Sequence, residues 1–193
     1  MARAAVTTRN QILDVAQRLI QARGFSAFSY ADIASEIGIR KASIHHHFPN
    51  KSDLAVALMV RYREAFSIAL TAIAADHAKV TVRLDAYQRL FSNVLRDGDR
   101  FCMCGMFAAD FDALSPEVRR EVRAFFDDNE LWLSKVLAEG KRRNEASYQG
   151  SAISRARVVL STLEGAMLVA RTYGDVTRFT AVARRALADA LRA

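Results

Sequence analysis

The chain has 193 residues, 51% of them hydrophobic and 25% charged, with a formal net charge of +7. That apolar content is enough for a packed core and excludes a disordered chain; two prolines and eight glycines are sparse punctuation, which favours long helices. No stretch approaches the ~18 uncharged apolar residues of a membrane span, the opening Met-Ala-Arg-Ala-Ala-Val-Thr-Thr-Arg lacks the apolar centre of a secretion signal, and Cys102 and Cys104 stand too close to staple a fold, so a cytoplasmic protein with no membrane partner is expected.

A first helix is expected to begin after Thr7 or Thr8, either of which can cap it. Ile12, Val15, Ala16, Leu19 and Ile20 recur at helical spacing, and Gly24 ends the run. Phe25 and Phe28 read as core plugs in the connection. Ser29 caps a second helix, with Asp32 three residues on as the shorter-acid form of a capping box. Gly38 makes a tight turn. Ile39, Ile44 and Phe48 anchor a third helix, which Pro49 stops. A fourth begins at Asn50 or Ser52 and carries Leu54, Leu58, Tyr62, Phe66 and Leu70 along one side to about Ala75. Residues 82–95 form a fifth helix that ends in the turn Arg96-Asp97-Gly98-Asp99. Residues 101–113 are almost uniformly apolar and read as one buried helix. Ser115 and Pro116 are a start signal for a long helix bearing Val118, Val122, Phe125, Asn129, Trp132 and Val136. Residues 144–150 are loop-like. Residues 153–173 have two apolar faces, so that helix needs neighbours on two sides. One is its own core. The other suits a second copy of the chain, through Val159, Thr162, Gly165, Ala166 and Val169, joined by Val182 and Ala186 of a last helix over 176–191; the alternative is that both faces are internal. The fold class expected is all-α.

The second and third helices, residues 29–48, have the design of a helix-turn-helix that lays one helix in the DNA major groove. Charge placement agrees: residues 1–51 hold seven basic and three acidic side chains, an excess that steers a protein towards phosphates. On the third helix, positions 41, 42, 45 and 46 share a face opposite Ile44 and Phe48. Arg40 suits a guanine edge or a phosphate, Lys41 a phosphate, Ser43 either. Ala42 allows close approach, with its methyl able to touch a thymine methyl. His45 and His46 can donate to phosphates or base acceptors. Ser29 sits at a helix N-terminus, which favours an anion. Tyr30 and Lys51 would flank the groove as backbone clamps. His45, His46 and His47 point about 100° apart on a helix and do not converge on one ion; no metal or cofactor is expected.

Ile12-Leu13-Asp14, Gly24-Phe25, Asp32-Ile33-Ala34, Gly38-Ile39-Arg40-Lys41-Ala42-Ser43-Ile44 and His46-His47-Phe48-Pro49-Asn50-Lys51-Ser52-Asp53-Leu54 closely resemble the DNA-binding domain of TetR/AcrR transcriptional regulators. His45 stands where that family usually has Tyr, and Phe28 where it often has Thr. The resemblance covers residues 9–66. It implies a helix-turn-helix domain over 6–66 and a helical-bundle domain over 67–193 that binds a ligand and dimerises through its last two helices. It also implies a palindromic double-stranded operator and a small-molecule effector.

Cys102 and Cys104 lie where such regulators form their ligand cavity. Arg96 and Arg100 are close in sequence, so a thiolate sensor of electrophiles is one reading; small buried apolar residues are the other. Met106, Phe107, Phe126, Trp132, Met167 and Tyr173 are candidates for a ligand pocket, or for core. Glu164 and Arg171 are charges in an otherwise apolar helix, placed to orient a polar ligand, pair with a partner subunit or face solvent. No Gly-rich phosphate loop, Ser/His/Asp arrangement or paired carboxylate motif points to an enzyme. The function expected is a homodimeric repressor released by a small molecule or a thiol-reactive compound. The alternatives are a ligand-dependent activator and an architectural DNA-binding protein of little sequence preference.

Overall fold

The computed structural model describes residues 2–98 and 100–192, with side chains from residue 7 onward, so Asp99 of the predicted turn lies outside the described residues. These residues form nine α-helices, one short 3₁₀ turn and no strand. The helices are α1 (Ala2–Arg23), α2 (Tyr30–Ile37), α3 (Lys41–His47), α4 (Lys51–Asp76), α5 (Val80–Arg96), α6 (Met103–Ala109), α7 (Pro116–Arg142), α8 (Ala152–Thr172) and α9 (Val176–Ala190). None is long and apolar enough to cross a membrane.

Local signals in the sequence set most of the ends. Gly24 closes α1 with φ of 95°, a left-handed conformation that glycine tolerates, and its N–H donates to Ile20. The space is tight as well: a Cβ here would meet the Asp110 carboxylate at 3.1 Å. Asp32 Oδ2 accepts from both the amide and the hydroxyl of Ser29, each at 2.7 Å. Asn50 Oδ1 accepts from the Asp53 amide at 2.9 Å, and the Asp53 carboxylate accepts in return from the Asn50 amide at 3.3 Å, which starts α4. Asp175 caps α9 by accepting from Thr177 at 2.9 Å.

Two expectations change. The first helix does not start after Thr7 or Thr8; it begins at Ala2, because the segment Ala-Arg-Ala-Ala consists of strong helix formers. The apolar run 101–113 is not one helix. Phe101 and Cys102 precede α6, and α6 stops before Asp110, whose carboxylate accepts from the Ser26 amide at 2.9 Å. A 3₁₀ turn over Phe111–Ala113 follows.

The chain forms two compact units. The first combines residues 1–64 with 103–124, and the second combines 65–102 with 125–193. Residues 103–124, which hold α6 and the start of α7, thus pack within the first unit. In the first unit Ile12, Ile20, Ile33, Ile44, Leu54 and Leu58 are fully buried. Phe25 packs on Phe107 with ring centroids 5.4 Å apart. In the second unit α8 and α9 form the most extensive helix pair. Leu163, Met167, Phe179 and Ala183 have no exposed surface there. Each of the three large side chains contributes roughly 1.5–3 kcal/mol through burial.

Candidate nucleic-acid interface and ligand-binding half

The turn at Gly38, with φ of 70°, redirects the chain from α2 into α3. Ile44 and Phe48 then seat α3 on the first unit's core. This orients the opposite face outward: Arg40, Lys41, Ala42, Ser43, His45 and His46 are all exposed. Arg40, Ala42, Ser43 and His46 border one open groove together with Thr8, Ile39 and His47. Sequence reasoning missed Thr8 because it read that residue as a cap, whereas α1 carries it past the N-terminal end of α3.

His45 is held in place by its own unit. Its ring packs edge-on against Tyr30 at 4.9 Å, and Nδ1 lies 3.0 Å from the Pro49 carbonyl. A carbonyl can only accept, so Nδ1 carries the hydrogen. Nε2 of the neutral ring is then an acceptor, and a phosphate contact through it requires the doubly protonated ring.

Two of the expected phosphate clamps, Tyr30 and Lys51, make contacts inside the unit. The Tyr30 hydroxyl lies against the carbonyls of Asn50 at 2.6 Å and Phe48 at 3.0 Å. Burial first, and the Asp53 charge second, push its pKa up to about 12. Lys51 Nζ donates to the carbonyls of Phe25 at 2.5 Å and Phe28 at 2.6 Å, and stands over both rings at 4.6 and 4.2 Å. Burial draws this amine below its usual range against the opposing pull of Asp110 and Asp32. Lys51 thus pins the α1–α2 connection, a role no local sequence signal announces. Ser29 is exposed at the start of α2, with its hydroxyl turned to Asp32; those two hydrogen bonds hold the Asp32 carboxyl below the usual carboxylate range.

The pocket candidates separate between the units. Cys104, Met106 and Phe107 belong to the first, and Cys102, Phe126, Trp132, Met167 and Tyr173 to the second. Tyr173 lines no interior. It is 62% exposed just past the end of α8, with the Arg178 guanidinium 3.9 Å over its ring. Phe107 and Met167 are core, and Phe126 and Trp132 are half-buried. Neither cysteine is in a disulfide, they are 2% and 0% exposed, and Cys104 Sγ lies 3.9 Å from Met59 Sδ. Such burial should slow the reaction of a thiol reagent with the native protein by ~100-fold or more relative to the unfolded chain. A stopped-flow assay with a chromogenic disulfide reagent checks this. A native rate near the denatured one would restore the cysteines as sensors.

The sequence reading did not single out the polar centre of the second unit. The Tyr87 hydroxyl donates to Asn129 Oδ1 at 2.9 Å, and Asn129 Nδ2 donates to the Phe125 carbonyl at 2.8 Å, all of it buried. Trp132 stacks on Tyr87 at 5.2 Å with an 18° tilt. On the outer side of α8 and α9, Val158, Thr162, Val182 and Ala186 border an apolar groove floored by Val159. Val169 and Val182 are 55% and 44% exposed, and Gly165 is exposed, with Ala166 half-buried beside it. Val159 itself, on the floor of that groove, is only 1% exposed.

Comparison with known proteins agrees with this architecture. Residues 12–58 match the family model of bacterial regulatory proteins of the tetR family, and residues 82–185 match that of the C-terminal domain of LmrA/YxaF-like transcriptional regulators. A TetR-family transcriptional regulator from Agrobacterium tumefaciens is 35% identical, with a TM-score of 0.92 over 96% of this chain and 98% of that one. A TetR transcriptional regulator from Legionella pneumophila is 33% identical, with a TM-score of 0.85 over 94% and 95%. The HTH-type transcriptional repressor NemR of Escherichia coli is 23% identical over 167 residues, 85% of this chain and 84% of that one.

Proposed function

The chain belongs to the TetR family of bacterial transcriptional regulators, which bind DNA, and from that premise we propose that it is a homodimeric repressor released from a palindromic operator by a small-molecule ligand. The observation that carries the reading is the outward face of α3. A cation, a small methyl-bearing residue and hydrogen-bonding side chains stand together on one rigid helix, as a major-groove reader requires. The similarity to NemR, named a repressor, supports the sign of regulation. The burial of Cys102 and Cys104 favours a non-covalent ligand over a thiol-reactive one. The site of action is the cytoplasm, where the operator is.

The test is fluorescence anisotropy with DNA from upstream of the protein's own gene, against unrelated DNA of equal length, across a salt series. Binding at least ~1,000-fold tighter to the upstream DNA supports a specific regulator. Equal affinity for both, repeated with fragments selected genome-wide, supports an architectural protein instead. A ligand that tightens binding marks the activator or co-repressor alternative. Within α3, Lys41→Ala should weaken binding to every DNA and lower the salt slope by about 1, because it removes a phosphate contact. Changes at Ala42 or His46 should alter the ranking of operator variants, by ~1–3 kcal/mol per affected base pair. A uniform loss from all three would sink this division of roles.

A further inference from the structure

His45 is fixed from two sides by the first unit. Its ring lies edge-on to Tyr30 with centroids 4.9 Å apart, and Nδ1 is 3.0 Å from the Pro49 carbonyl. That carbonyl can only accept, so the hydrogen of the neutral ring sits on Nδ1 and Nε2 is a lone pair. Nε2 is the ring nitrogen that this bond leaves for another partner, and the residue is exposed. His45 also does not border the groove shared by Arg40, Ala42, Ser43 and His46. It stands at its edge, in the last turn of α3, where the phosphates beside a major groove would pass. A phosphate oxygen offers no hydrogen, so two lone pairs would face each other unless Nε2 takes a proton as well.

The charges around the ring come from several elements. On α3 itself, Lys41 lies one turn earlier and His46 and His47 follow. From α1, the Arg9 guanidinium lies 5.1 Å over the Phe48 ring. On α2, Asp32 is engaged by Ser29 and Glu36 by Arg18, and the Tyr30 phenol, pushed up to about 12 by burial and then Asp53, stays uncharged at neutral pH. On α4, the Asp53 carboxylate accepts from the Asn50 amide, and Lys51 is turned to the carbonyls of Phe25 and Phe28. The acids on α2 and α4 thus have partners, and a DNA phosphate is the counter-charge for a second ring proton.

We propose that His45 is a proton-gated phosphate contact: on binding DNA, Nε2 takes up one proton per subunit and donates it to a backbone phosphate, so affinity rises as the pH falls. This rests on the reading of α3 as the DNA-reading helix. The proton comes from solvent and returns there on release, and no other bond changes. An imidazole ordinarily changes charge between about pH 5 and 8, and a phosphate in contact favours its charged form. Each pKa unit gained on binding is tenfold in affinity per subunit.

The test is anisotropy of the full-length protein with upstream and unrelated DNA between about pH 6 and 8.5, at constant ionic strength, with circular dichroism of each sample. Wild-type affinity should fall by ~10-fold or more from pH 6 to pH 8, on both DNAs, because a phosphate carries no sequence. His45→Phe keeps a ring against Tyr30 and removes both nitrogens, so the wild-type advantage over it should widen by ~10-fold or more from pH 8 to pH 6. His45→Gln covers the case in which the phenylalanine fails to fold: its amide donates without a charge, and the pH slope should flatten. Nitrogen-15 shifts of the free protein at high pH should show the hydrogen on Nδ1 of His45. A pH-independent wild type, an unchanged slope in the folded His45 variants, a slope abolished by His46→Gln but not by His45→Phe, or a hydrogen on Nε2 in the free neutral ring overturns the proposal. A His45-dependent slope on unrelated DNA, with no specific site found genome-wide, overturns the regulator reading and supports the proton-gated contact.

Discussion

Lys51→Met should destabilise the first unit by about 2–4 kcal/mol without any DNA present. A methionine keeps most of the apolar stem but has no donor. The carbonyls of Phe25 and Phe28 lose their charge-assisted partner; such bonds contribute ~1.5–3 kcal/mol, and a buried acceptor left unsatisfied costs ~1–3 kcal/mol more. The cation over the rings of Phe25 and Phe28 is lost as well, for ~0.5–2 kcal/mol. Methionine regains part of this through sulfur–aromatic contact, which keeps the sum below the total of the parts. Urea unfolding followed by circular dichroism measures it. A phosphate clamp makes the opposite prediction: unchanged stability, weaker DNA binding, and rescue by Lys51→Arg. For the inward pin, arginine is a poor substitute, because a planar fork cannot aim one nitrogen at two carbonyls and sit between two rings. Wild-type stability in Lys51→Arg would return Lys51 to the DNA interface.

The same residue shows where the sequence stops being legible. Helical period, the glycines at 24 and 38, and the caps at Ser29, Asn50 and Ser115 are local signals, and the ends of α2, α3, α4 and α7 follow them. The outward face of α3 was legible for the same reason: burying Ile44 fixes where its neighbours point. Lys51, Tyr30 and Asp110 were illegible because their partners lie 18 to 84 residues away. A lysine next to a helix-turn-helix reads as a phosphate contact whether it faces out or in. The segment 101–113 failed for another reason. A uniformly apolar run has no period, and its break is set by the Asp110 bond to Ser26, a tertiary contact. Cys102 and Glu164 were visible as residue types, but their adjacency depends on how α8 packs.

Val182→Asp should convert the protein into a monomer and lower operator affinity by about 10²–10⁴-fold. On the outer face of α8 and α9, Val158, Leu168, Val169 and Val182 remain between 44% and 64% exposed. Exposed apolar side chains gathered on two adjoining helices mark a protein–protein contact more often than chance scatter. A two-fold interface presents every residue twice, so one aspartate places two desolvated charges in a small apolar area. The guanidiniums of Arg155 and Arg185 border the same groove. Arg185 already pairs with Asp189 at 2.7 Å, and it is 80% exposed at its side chain, so it offers little compensation. Loss of the dimer removes the second α3 from the operator. Two linked readers gain ~10²–10⁴-fold over one from effective concentration alone, and that factor is what the variant forfeits. Neither unit's core contains Val182, so helicity and melting of each unit should change little. Sedimentation velocity read beside anisotropy tests the chain of causes. A dimeric Val182→Asp with full operator affinity would place the partner subunit on another face, and a monomeric variant that still binds the operator fully would separate dimerisation from DNA recognition.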